Sequence, residues 1–196
     1  MDAVRSKTET VRLNSAPDQS ALARPTVRSL LSLGTGHLRV SLFEGVSVLI
    51  PMVYVQEVMA LPAHRLSALP NLPSPVLGLM NRRSQVLWLV DLAYLLGIGR
   101  LDLAPQTHHV VVLKVDKLTV AFAVTAIEGM IAVPPEAGMP VPSQVPPSAL
   151  PYLQMCARLD TDSVQTGVQT GAQTSELLMV INPEALFQSP VLQPIG

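Results

Sequence analysis

The chain has 196 residues and a formal charge of −1; 48% of it is hydrophobic, and only 14% is charged, against roughly 25% in ordinary globular domains. This balance excludes a largely disordered chain, which needs high charge and low hydropathy, and a protein built around nucleic acid, which would carry a basic stripe. The length fits one large domain or two small ones, with enough core to fold without disulfides or metal.

Residues 1–28 carry five basic and three acidic groups, with Pro17 and Pro25 and no periodicity; they read as a flexible N-terminal tail. Leu30–Leu33 and His37–Phe43 then read as two strands joined by a turn at Gly34-Thr35-Gly36, with Leu38, Val40 and Leu42 alternating against Arg39 and Ser41. Gly45 opens the apolar run Val46–Ile50, which Pro51 stops. Across Met52–Ala60 the spacing of Val55, Val58 and Met59 predicts a short helix. Four prolines over residues 61–75 predict an extended loop. Val76–Met80 and Gln85–Val90 are buried segments around the polar knot Asn81-Arg82-Arg83-Ser84, and Asp91 caps a short helix over Leu92–Leu96 that Gly97 ends.

His109–Val115 and Leu118–Thr125 flank Asp116-Lys117 as a hairpin, and Ile127–Val133 is a further strand. A proline-dense connection follows from Pro134 to Pro151. Leu153–Leu159 and Leu177–Ile181 are the last strands, and the repeat VQTGVQTGAQT at 164–174 reads as a hairpin loop between them. Asn182-Pro183-Glu184 starts a final short helix. Many short strands, short helices and abundant proline give a mostly-β protein with two small barrels or sheets.

Enzyme signatures are sparse: there is no glycine-rich phosphate loop, metalloprotease helix or serine elbow. His108 and His109 are adjacent, so on a strand they face opposite sides and do not bind one metal together. Asp91 reads as a helix cap before it reads as a catalytic carboxylate. A β-barrel enzyme using Asp91 and His109 therefore ranks last. Cys156 is the only cysteine, which excludes an intrachain disulfide and a cysteine-based zinc site; within Leu153–Leu159 it reads as a small buried hydrophobe. No cofactor and no metal are expected. The N-terminus lacks the apolar core of a secretory signal, and no apolar run reaches the length of a membrane span, so a cytoplasmic protein without direct membrane insertion is expected. Arg82-Arg83, the adjacent basic pair, stands out in a chain this poor in charge. The pair reads equally as a solvated turn or as a handle for an acidic partner, and low surface charge favours an interaction module over an enzyme.

Several segments together resemble the CheW-like domain of bacterial chemosensory systems. Asn81-Arg82-Arg83-Ser84-Gln85-Val86-Leu87-Trp88-Leu89-Val90-Asp91-Leu92 is similar to that family's NLRG–apolar–P–apolar–DL signature. Ile50-Pro51 with Val55-Gln56-Glu57-Val58 resembles its IP…VQEI segment. Leu69–Pro73 and Val76–Asn81 resemble the approach to the signature, and Tyr152-Leu153, Ala157–Leu159 and Leu178–Asn182 its closing strands. The likeness spans residues 29–190, leaving 191–196 as a short C-terminal tail. Arg82 stands in place of the usual leucine, Ser84 of glycine, Trp88 of proline and Thr125 of aspartate. These departures point to a divergent branch, in the direction of pilus-motility (PilI-like) systems.

The resemblance implies two intertwined five-stranded SH3-like barrels and a scaffold without catalytic activity. It implies coupling of a methyl-accepting chemoreceptor's cytoplasmic tip to a CheA-type histidine kinase, recruitment to membrane-associated receptor arrays, and a monomer outside them. The alternative is a kinase-binding regulator that engages no receptor. The partner-binding residues it implies are Val55, Glu57, Gly78, Asn81, Arg82 and Arg83. A receptor helix would lie in a groove, with Arg83 fixing its register.

Overall fold

The computed structural model describes residues 35–43, 45–161 and 174–192. Strands dominate, in chain order β1 (Thr35–Phe43), β2 (Val46–Pro51), β3 (Val55–Pro62), β4 (Leu66–Ser67), β5 (Val76–Arg82), β6 (Gln85–Asp91), β7 (Thr107–Val115), β8 (Leu118–Val124), β9 (Ala126–Val133), β10 (Gly138–Met139), β11 (Leu153–Thr161) and β12 (Thr174–Ile181). Among the described residues, two short helices, α1 (Leu92–Leu95) and α2 (Pro183–Phe187), follow β6 and β12. Sheet A has the order β10-β11-β12-β2-β1-β9 and sheet B the order β3-β7-β8-β6-β5-β4. Each sheet is thus five full strands plus a sixth of two residues. Sheet B is built from one uninterrupted stretch, whereas sheet A is made from both ends of the chain around it.

The two sheets follow one plan. Each runs from a two-residue strand through an antiparallel hairpin to a parallel pair, β6–β8 in B and β12–β2 in A, then to a second hairpin and a last strand. Two register shifts fall at corresponding places: between Val55 and Glu57 against β7, and between Ile127 and Gly129 against β1; between Val76 and Gly78, and between Leu153 and Met155. A further shift, between Ser41 and Phe43 against β2, has no counterpart in the β7–β8 pair. The strand before each helix ends in a cap. Asp91 accepts from the Tyr94 amide at 3.1 Å, and Asn182 accepts from the Ala185 amide at 3.2 Å. This duplication is invisible in the sequence because it lies in burial and register.

Among the described residues, buried side chains form three cores. One lies between the sheets and joins Leu38, Val40, Leu42, Val48 and Ile50 to Val90, Val111, Leu113, Phe122 and Phe187. A second fills sheet B with Leu61, Met80, Leu87, Leu89, Val110, Val112, Ala121 and Ala123; a third fills sheet A with Leu49, Val133, Ala157, Leu178 and Val180. Strands β7 and β8 send alternate residues to different cores, so both faces are apolar and the run reads as continuous.

The helix expected over Met52–Ala60 is replaced by a 3-10 turn (Met52–Tyr54) and β3. The twice-buried β7 has a free edge whose backbone groups must be paired, and β3 pairs them from Val55↔Leu113 to Pro62↔Thr107. Thr35 and Gly36, expected in a turn, lie in β1. The loops expected at 61–75 and 134–151 contain the short strands β4 and β10. The expected strand Leu30–Leu33, the N-terminal tail and residues 164–173 lie outside the described residues. Among the described residues, no helix is long and apolar enough to cross a membrane.

Candidate functional site

The site begins with the β5–β6 hairpin. Arg82 pairs with Gln85, leaving Arg83 and Ser84 as a two-residue loop whose φ angles are 47° and 64°. Two positive φ angles make the mirror-image turn that matches strand twist and usually requires Asn-Gly. Here neither residue is glycine, so the turn is strained, and Ser84 holds the place where the resembled pattern has glycine.

Alternation then divides the hairpin into two faces. Met80 belongs to the interior of sheet B, and Arg82, two residues on, continues that face to its mouth. Met59 and Leu61 point into the same interior, and Glu57 continues their face from β3. Although β3 and β5 lie far apart in the sheet order, Arg82 binds Glu57 with both guanidinium arms: Nε donates to Oε2 at 3.0 Å, and Nη2 donates to Oε1. Sheet B is therefore curled until its two ends meet. Arg83 Nη2 stands 3.8 Å from Glu57 Oε1, beyond a hydrogen bond, and its side chain is 78% exposed; Glu57 is 22% exposed. The hydrogen bond from Arg82, reinforced by both guanidinium charges, holds the Glu57 carboxyl below its ordinary range.

The other expected residues take separate places. Gly78 has φ 150°, and a Cβ there would lie 2.4 Å from the Ser67 carbonyl oxygen, so glycine lets β4 approach β5. Val55 packs against the core between the sheets, because the register shift separates it from Glu57. Asn81 is exposed and pairs with Val86 on the outer face. Glu57, Arg82 and Arg83 are thus brought together; Val55 and Gly78 shape their supports.

That outer face carries what the residue reading missed. Val86 and Trp88 continue the Val90 side of β6, and Leu118 the Val120 side of β8, beyond the part that sheet A covers. They are 64%, 43% and 61% exposed. Trp88 and Leu118, with Leu72, Val76, Phe187 and Leu192, line an apolar groove of about 460 Å³. The alternation of Gln85–Val90 already separates Val86 and Trp88 from Leu87 and Leu89, and was the available signal. Sheet A has a corresponding groove of about 500 Å³ lined by Val46, Leu177 and Met179. Met179 takes the place of Trp88 there.

Asp91 is buried with both oxygens occupied, by the Tyr94 amide at 3.1 Å and the Leu101 amide at 2.8 Å, as a structural cap requires. His108 is buried and His109 exposed, on opposite sides of β7. Cys156 is buried, and burial raises its thiol pKa. Thr125, at the position of the usual aspartate, donates its hydroxyl to the Leu42 carbonyl at 2.8 Å.

The CheW-like domain model matches residues 38–191. The chain belongs to the CheW-like family. Its architecture is similar to that of the scaffolding protein TtCheW from Thermoanaerobacter tengcongensis, with a TM-score of 0.61 at 17% identity, over 81% of this chain and 95% of that one. The CheW-like fold of two SH3-like subdomains is therefore established here, each with the short sixth strand described above. No curated protein matches the sequence.

Proposed function

We propose that this CheW-like chain is a non-catalytic adaptor. It couples the cytoplasmic tip of a methyl-accepting chemoreceptor to a CheA-type histidine kinase, in chemotaxis or pilus-based motility signalling, within membrane-associated arrays. The observation that carries this reading is the apolar groove along β6 and β8, on the same hairpin whose turn exposes Arg83. An uncovered continuation of a protein core, with an exposed cation farther along the hairpin, suits the apolar face of an amphipathic helix whose acidic residues fix its register. Trp88 is the anchor, since a large, half-exposed aromatic at a groove wall contributes most when a partner covers it. Signal then passes by differential contacts.

The test is affinity purification of the tagged protein from its native cells, with identification of the bound chains, for wild type, Trp88→Glu and Arg83→Glu. Recovery of a histidine kinase with a coiled-coil receptor, and loss of the receptor in both variants with unchanged circular dichroism, is the expected result. Recovery of kinase alone would replace this reading with that of a kinase-binding regulator. Recovery of neither would overturn it.

A further inference from the structure

We propose that the two apolar grooves are coupled, because each short helix begins on the wall of one groove and ends on the wall of the other. The coupling stands without the adaptor reading; only its effect on partner recovery rests on that reading.

The first link runs through α1. Leu72 and Pro73 wall the sheet B groove, in a turn closed by the Val76 amide, which donates to the Pro73 carbonyl at 2.8 Å. The neighbouring Pro75 carbonyl accepts at 2.8 Å from the amide of Asp91, the cap of α1. On α1 itself, the Tyr94 hydroxyl accepts from Arg100 at 2.8 Å and from Ser74; these two bonds hold its pKa below the ordinary tyrosine value. At the far end of α1, the Leu96 carbonyl accepts from the Ser148 hydroxyl at 2.9 Å. Gly97 leaves the room for this contact, since a Cβ there would lie 2.1 Å from the Ser148 oxygen. Ser148 ends the loop whose Pro142, Val145 and Pro146 wall the sheet A groove, and Ile98, just past α1, lines that groove as well.

The second link runs the opposite way through α2. The Ala149 amide donates to the Pro146 carbonyl at 2.9 Å, the Tyr152 amide to the Ala149 carbonyl at 2.9 Å, and the Asn182 amide to the Tyr152 carbonyl at 2.8 Å. Asn182 caps α2. Phe187 at the end of α2, and Val191 and Leu192 after it, line the sheet B groove. Ser189 pins the turn that carries them: it is buried, and its hydroxyl accepts from the Tyr152 hydroxyl at 3.1 Å.

Both links are short and enclosed. α1 has four residues, a rod of about 6 Å, and its Leu92, Ala93 and Leu95 are buried in the core between the sheets. A close-packed interior transmits a displacement instead of absorbing it. Pressure on either wall therefore alters the other, and the coupling is reciprocal.

The experiment follows amide hydrogen exchange by NMR in the isolated full chain, as wild type, Ser148→Ala and Tyr94→Phe. Ser148→Ala loosens the sheet A wall and is read at Val76 in the sheet B wall; Tyr94→Phe loosens the sheet B wall and is read at Ala149 in the sheet A wall. Each variant is expected to speed exchange at the distant amide about two- to fivefold, the scale of one hydrogen bond. Leu113, in β7, should keep its wild-type rate. Ser148→Ala should also shift the emission of Trp88, the single tryptophan, to longer wavelength. Acceleration confined to Leu96 and Gly97, or spread equally to Leu113, would overturn the coupling, as would an effect in one direction only. If Ser148→Ala does not fold, Tyr94→Phe decides alone, at Ala149. Receptor recovered from native cells should fall in Ser148→Ala by a similar factor. Faster exchange with unchanged recovery supports the coupling and overturns the placing of the receptor in the sheet B groove.

Discussion

Sheets A and B share a strand plan, two register shifts and the helix caps, yet they arrange charge in opposite ways. In sheet B one carboxylate, Glu57, lies between two arginines. In sheet A one guanidinium, Arg39, lies between two carboxylates: it binds Glu176 at 2.7 and 2.9 Å and also Glu128. The close approach of the short strand is likewise solved from opposite sides. Sheet B places the small residue on the hairpin, at Gly78 against Ser67; sheet A places it on the short strand, at Gly138, where an added Cβ would lie 3.0 Å from the Met155 sulfur. A backbone plan can thus be held by caps, alternation and register while the side chains at its ends are exchanged. The exposed ends are where the two halves differ as binding surfaces.

The strongest way to break the comparison is to ask whether the halves are one cooperative unit. Phe122 of sheet B is fully buried in the core between the sheets and packs on Phe187, with ring centroids 6.1 Å apart. Phe122→Ala is expected to cost about 3–5 kcal/mol and to lower a single unfolding transition, measured by urea denaturation with far- and near-ultraviolet circular dichroism. Two separated transitions would mean that the shared core does not couple the sheets.

Gly78→Ala separates the two solutions for the short strand. It should cost about 2–3 kcal/mol through backbone collision and a disfavoured φ, whereas Met155→Ala at the corresponding place in sheet A removes only part of a half-buried side chain. Equal losses in thermal denaturation would show that the sheets tolerate the approach alike.

A gain is expected at the hairpin turn. Ser84→Gly relieves one left-handed residue and should stabilise by about 1 kcal/mol, read as a raised denaturation midpoint; no gain would mean that the turn stores no strain at Ser84.

The smallest effect is a pH dependence. His37 of sheet A occupies the place of the apolar Val110 in sheet B; it is buried, its Nδ1 lies 2.8 Å from the Thr35 carbonyl oxygen, and burial lowers its pKa. A depressed folded pKa means that the unfolded chain binds the proton more readily. The contribution is thus complete above the unfolded value of about 6.5 and is lost as pH falls through the folded value. His37→Val should flatten the stability profile below about pH 6.5; an unchanged slope would assign it to other groups.

What the sequence carried openly was local. Asp91 and Asn182 announced helix starts because a capping side chain acts within three residues, and β1, β6 and β8 were legible from alternation or apolar runs. Met52–Ala60 misled because the partner that makes β3 a strand, β7, lies more than forty residues further along the chain. The Glu57–Arg82 clamp could not be read either, since nothing in their spacing tells that the ends of a sheet will curl together. Arg82 and Arg83, indistinguishable as neighbours, became different only when strand parity sent one to the mouth of the barrel and left the other on the turn. Trp88 carried the opposite lesson. Its alternation with Leu87 and Leu89 was visible, but the departure of sheet A from that face was not.

The placement of sheet B inside the span of sheet A also sets an order of events during synthesis. Strands β3 to β8 follow one another without interruption, so their contacts close shorter loops than the pairing of β2 with β12 and can form earlier. Strand β2 must wait for its parallel neighbour β12, which arrives only near the end of the chain, where Met179 meets Val48. Until then β2 offers an unpaired apolar edge, and a chain arrested before β12 carries a finished sheet B beside an open template for aggregation.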